Sequence, residues 1–155
     1  MPQTSVISFF KYQGVHDKWK ALGRMGRPPL LKKNIAGLTF WKALGSGSGN
    51  GFSIWPDFSI FGLLAVFNSE AEAAHFLDSD IIAEYTGASI EHSHTLMYSI
   101  KAHGQWSKQS PFTTSVKYDE SKPVAVITRA TIKPKLDYKF WKHVPSVSKS
   151  MDGHK

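Results

Sequence analysis

Residues Ser59–Phe67 read SIFGLLAVF, and Asn68, Ser69 and then EAEAAHFL (Glu70–Leu77) follow directly. The first run is continuously apolar and of strand length. Ser69 has the character of a helix N-cap, with Glu70 and Glu72 favourably placed near the positive end of the helix that follows. A strand passing into a helix at this point fixes the middle of the chain, and the flanking segments can be read outward from it.

Upstream, Thr4–Tyr12 (TSVISFFKY) is rich in β-formers and ends in a turn at Gln13–Gly14, which predicts a strand. Val15, Trp19, Leu22 and Met25 recur at helical spacing, and Asp17 suits a first turn, so a helix is expected over Val15–Leu31, ended or kinked by Pro28 and Pro29. Leu38–Leu44 predicts a second strand, closed by the glycines at 45, 47, 49 and 51. Downstream, Ser93–Lys101 predicts a further strand. The resulting order is β-α-β-β-α-β, an α+β domain on the ferredoxin-like plan over residues 1–112. In that plan two helices cover one face of the sheet. The other face needs a second sheet, from a dimer or from an internal duplicate.

After a loop at His103–Pro123 (linker 113–123), Val124–Lys133 (VAVITRATIK) predicts another strand and Leu136–Met151 a helix, with Pro145 near a break or start. Residues 124–155 therefore read as the opening of a second repeat, incomplete at Lys155.

Composition bounds the chemistry. There is no cysteine, which excludes a disulfide scaffold, thiolate catalysis and thiolate metal sites and fits the cytoplasm. No apolar run is long enough to span a bilayer, and the N-terminus lacks the features of a signal peptide. Five Trp and ten Phe exceed what a small core requires, so aromatic side chains remain for a pocket, a core or an interface. The net charge of +7 is uneven: positions 51–100 carry seven acids and no Lys or Arg, and the flanking thirds are basic. The bases are scattered singly. They read as a solvated surface able to rest on an anionic membrane, with no nucleic-acid partner expected.

The segment Gly37–Phe52, GLTFWKALGSGSGNGF, invites a phosphate-loop reading and does not satisfy one. A Walker A loop ends in Lys-Ser/Thr, and a dinucleotide fingerprint opens a helix. Trp41 and Lys42 are adjacent on the expected strand and so face opposite sides of the sheet; a lysine on the concealed side would want a carboxylate or propionate partner. His92 and His94 share a face, but Glu91 points the other way and His103 lies beyond the strand, so no metal site is expected. A single histidine suffices as an axial haem ligand, and the sequence does not choose among the seven. Asp57 reads as a turn residue. Arg129, amid Val126, Ile127 and Ile132, needs an anion, an ion-pair partner or an open face. No Ser/His/Asp, paired-carboxylate or HExxH pattern occurs.

Taken together, ALGRMG (Ala21–Gly26), the Gly37–Phe52 segment, LLAVF (Leu63–Phe67), KAHGQWSKQSPF (Lys101–Phe112), VITRATIKP (Val126–Pro134) and FWKHVPSVS (Phe140–Ser148) resemble the spheroidene monooxygenase-like family in order and spacing. The resemblance implies two ferredoxin-like repeats of the dimeric α+β barrel type. It also implies a haem-dependent monooxygenase that places a keto group on acyclic carotenoids, with an apolar carotenoid-like substrate and an electron donor as partners. A homodimer and peripheral membrane contact are further expectations, and a haem- or apolar-ligand-binding module without turnover is the alternative. On this reading the candidate residues are Arg129 for catalysis and Trp41, Lys42, Gly45, Gly47, His94 and His103 around the cofactor. The chain departs from the family pattern at Phe58 and Phe67, where Trp is expected, and at Asn68–Ser69, where Pro-Asp is expected.

Overall fold

In a computed structural model of the chain, residues 1–26, 34–48, 55–114, 116–129 and 135 are described. Seven elements follow in order: β1 (Thr4–Lys11), α1 (Val15–Gly26), β2 (Leu38–Gly47), β3 (Pro56–Phe67), α2 (Glu70–Leu77), α3 (Asp80–Thr86) and β4 (Glu91–Tyr98). The strands form one antiparallel sheet in the order β2-β3-β1-β4. This is the ferredoxin-like arrangement of an α+β domain: each helical crossover skips one strand, so that β1 and β3 end in the centre.

The apolar run at 61–67 forms because β3 is a central strand with both faces covered. Phe61, Leu63, Ala65 and Phe67 point to the helices, where Phe10, Phe76, Ile81, Ile82 and Tyr85 complete the main core. Leu64 and Val66 point to the opposite face and pack with Phe40, Trp106 and Phe112. Burying each of the large side chains contributes about 1.5–3 kcal/mol. Ser69 caps α2: its Oγ accepts from the Glu72 N–H at 3.3 Å and donates to Glu72 Oε2 at 2.9 Å. This N-cap, with Glu72 at the third helical position accepting from the Ser69 hydroxyl, sets where the helix starts.

Several boundaries differ from expectation. β2 continues through Gly45 to Gly47, because backbone pairing with Phe61 and Pro56 holds the glycines in the ladder. β4 begins at Glu91, where Lys11 pairs with it in register and its Nζ meets Glu91 Oε2 at 3.2 Å. α3 is an additional helix. It begins after Ser79 and buries Ile81, Ile82 and Tyr85. The expected helix end beyond Gly26 lies outside the described residues. Val124–Arg129 is exposed and forms no strand, because no described strand pairs with it; the remainder of that expected strand and the Leu136–Met151 helix lie outside the described residues. Among the described residues, no helix is long and apolar enough to cross a membrane.

Candidate functional site

The two sheet faces divide the candidate residues. On the face opposite the helices, the loop after β4 folds back over the sheet. Trp106 and Gln109 exchange backbone hydrogen bonds of 2.7 and 3.1 Å around a two-residue turn, and the two turn residues, Ser107 and Lys108, both have positive φ (54° and 63°). Such turns favour Asn-Gly, so this backbone is strained, at a cost of about 1–3 kcal/mol per residue. The turn sets the Trp106 ring 5.6 Å from Phe40, and Phe40 in turn lies 6.5 Å from Phe112. Thr113 N donates to Gln3 Oε1 at 2.7 Å, which ties the end of this loop to the chain's beginning.

Beside this aromatic row is a cavity of about 270 Å³, with Ser5, Met97, His103, Trp106, Phe112 and Arg129 among its walls. The Arg129 guanidinium lies 6.0 Å from the Trp106 ring centroid. Lys42 sits at the middle ring of the row, its ammonium 5.4 Å from the Phe40 centroid. Lys42 therefore faces the open side, where it meets an aromatic ring; among the described residues no carboxylate lies within ion-pair distance of it. Three expected residues, Lys42, His103 and Arg129, thus share one face.

Trp41 and His94 lie on the other face. Trp41 packs against the helix-side core. His94 pairs with Ser8 across β1 and β4, and its Nδ1 is 2.8 Å from the buried Ser8 Oγ. The Phe10 ring is 5.9 Å from His94 and the His92 ring 5.4 Å. Burial first, and the charge of His92 second, push the His94 pKa down, which favours neutral imidazole. With Nδ1 engaged, Nε2 is the nitrogen left to bind a metal. Gly45 and Gly47 are strand residues at the hairpin end. A Cβ added to Gly45 would meet only the Met25 methyl, at 4.0 Å, so crowding does not require glycine there. Gly49 and Gly51 lie outside the described residues. Among the described residues no group of three metal-ligating side chains occurs. Asp57 takes part in a local turn, its Oδ1 accepting from Ser59 N at 2.8 Å and from Ser59 Oγ, and these bonds hold its carboxyl low.

Two contributors were not singled out from sequence. Ser8 is a polar residue inside an apolar strand, a period-2 anomaly that could have pointed to His94. Trp106 sits in a loop behind Gly104, where an aromatic side chain has no local secondary structure to pack against.

No protein-family model matches the chain. Curated relatives do. A spheroidene monooxygenase of Cereibacter sphaeroides is 30% identical over 147 residues, which is 94% of this chain and 45% of the relative. That of Rhodobacter capsulatus is 29% identical over 97% of this chain and 64% of its own length, and that of Rubrivivax gelatinosus is 32% identical over 75% and 44%. The chain thus spans about half the length of the curated relatives it matches. Among solved structures, a protein of unknown function from Nitrosomonas europaea aligns with a TM-score of 0.49 at 20% identity, covering 68% of this chain and 97% of that one. The cofactor-independent oxygenase SnoaB of Streptomyces nogalater aligns at 0.47 with 11% identity, covering 68% and 100%. The ferredoxin-like assignment rests on the strand order itself. By sequence, along nearly all of its length, the chain is similar to the spheroidene monooxygenases, as its motifs imply.

Proposed function

We propose that this chain belongs to a monooxygenase acting on an acyclic carotenoid, with haem as its cofactor. The observation that carries the reading is similarity to spheroidene monooxygenases over 94% of the chain. One oxygen atom would enter a C–H bond of the polyene and the other would leave as water. That balance requires two electrons and two protons, so an electron donor belongs to the reaction. When bound, haem supplies the activation of oxygen.

The donor chemistry of His94 fits such a group. Its imidazole is kept neutral by burial, oriented through Nδ1 by Ser8, and flanked by the edge of Phe10. His94 would be the residue that holds the haem iron, through Nε2. His103, Lys42 and Arg129 lie on the opposite side of the sheet and would not contact the same haem. Trp41 then has a packing role against the helix-side core.

The test is the visible spectrum of the protein produced with a supply of haem. Wild type and His103→Ala should show a Soret band that His94→Ala lacks or shifts. Product analysis with carotenoid, oxygen and a reductant should show an oxygenated polyene. A wild-type protein with no Soret band removes haem, and a band identical in all three proteins removes His94 as ligand. Failure to oxygenate by a haem-loaded protein with a functioning reductant removes the activity.

A further inference from the structure

The cavity over the open sheet face has a charge pattern that haem at His94 does not use. Among the described residues its basic walls are Lys101, His103 and Arg129, Tyr98 is its other ionisable member, and no Asp or Glu takes part. Neither Arg129 nor Lys101 forms an ion pair with another described residue. The contact of Arg129 with Trp106 does not neutralise the guanidinium. A cation–π contact at an exposed site contributes about 0.5–1 kcal/mol and leaves the in-plane N–H groups free. A guanidinium held by an aromatic face, with no ion-pair partner among the described residues, is suited to pair with a planar carboxylate or with phosphate oxygens. The rest of the lining is mixed: Ser5, Ser99 and Gln105 are polar, and Met97, Phe112 and Ile127 are among the apolar members. The strained turn at Ser107–Lys108 fixes the Trp106 platform, a local cost of the kind concentrated at binding sites.

We propose that this cavity binds an anionic amphiphile. A carboxylate or phosphate head pairs with Arg129 and Lys101, and an apolar chain lies along Trp106 and Phe112. The volume of about 270 Å³ is at the small end for a ligand site, so it takes the head and the first few carbons. The remaining tail runs over Ile7 and the exposed Phe9 on the open sheet face. The ligand's chemistry is shared by free fatty acids and by phospholipids. The inference does not depend on haem or on oxygenation.

Isothermal titration calorimetry of the whole chain tests it with laurate, dihexanoyl phosphatidylglycerol and the neutral alcohol dodecanol. At least one anion should bind tenfold or more tightly than dodecanol. Arg129→Ala should weaken that binding about tenfold or more, the loss expected for a hydrogen bond to a charged group. Arg129→Lys should recover part of it, and Lys20→Ala, on the exposed side of α1, should stay within about twofold of wild type. Binding of laurate alone identifies a free fatty acid as the source, binding of phosphatidylglycerol alone identifies a phospholipid head, and either result supports the site. Equal affinity for dodecanol and laurate, no binding by either anion, or an Arg129→Ala protein with a normal urea midpoint and unchanged affinity would overturn it. Because the spectrum of bound haem is read separately, loss of one site is distinguishable from loss of the other.

Discussion

Gly37→Ala should destabilise the protein by about 1.5–3 kcal/mol, and the effect has two separable parts. Gly37 has φ of +70° just before β2, and an L-residue in that region costs roughly 1–2 kcal/mol. In addition, a Cβ at this position would overlap the Glu72 carboxyl group, its carbon and both oxygens. Glu72 must swing away, and its bond from Ser69 Oγ at the α2 N-cap is lost with it, at about 0.5–1 kcal/mol. In a Glu72→Ala background that second part is already gone, so Gly37→Ala should cost only the backbone part. Urea unfolding of the wild type, both single variants and the double variant gives the coupling, expected at about 0.5–1 kcal/mol. For a domain of this size the single variant should melt roughly 3–12 °C lower. Equal costs in the two backgrounds would refute the proposed contact, and a cost below about 0.5 kcal/mol would refute the requirement for glycine.

His94 binds its proton more weakly folded than unfolded, so the unfolded state takes up more protons between the lowered folded pKa and the ordinary value of 6.5. Stability should therefore fall as pH drops through 6.5, and His94→Gln should flatten the pH dependence of the urea midpoint. Tyr85 is pushed up to about 12, by burial first and then by Tyr12, so a spectrophotometric titration should show a tyrosine ionising well after the ordinary ones. Its stabilising contribution is complete below pH 10 and is lost as the pH rises toward 12. Ser107→Asn combined with Lys108→Gly should stabilise the chain by about 0.5–1 kcal/mol, because it supplies the residues that a turn with two positive φ angles prefers. An unchanged or lower urea midpoint would remove the strain assigned to that turn.

Much of this fold is legible locally. Glu70–Leu77 is readable residue by residue because Ser69 and Glu72 make its start a matter of four adjacent positions. β3 is readable because both of its faces are buried and its apolar run is unbroken. α3 is not, since seven residues with apolar positions at 81, 82 and 85 give too short a periodicity, and its burial comes from tertiary contact. Val124–Arg129 has the composition of a strand, but β-propensity takes effect only beside a partner. The site was partly legible: alternation on β2 puts Trp41 and Lys42 on opposite faces, while which face each takes is decided by the right-handed crossover of α1. The meeting of His103, Trp106 and Arg129 depends on a loop returning across the sheet, and no spacing rule encodes that.

The position of β1 sets a timetable for the chain's birth. Thr4 must pair on one side with Phe67 and on the other with Tyr98, and Lys11 with Ile60 and Glu91. The strand that leaves the ribosome first among the four is thus the one that finds its last neighbour latest. At synthesis rates of about 5–20 residues per second, it waits roughly 4–16 s for β4. During that interval Val6 and Phe10, which are buried in the finished domain, are open to any passing apolar surface. The nascent chain should therefore be most vulnerable to aggregation, and most dependent on chaperones, in the seconds after β1 emerges.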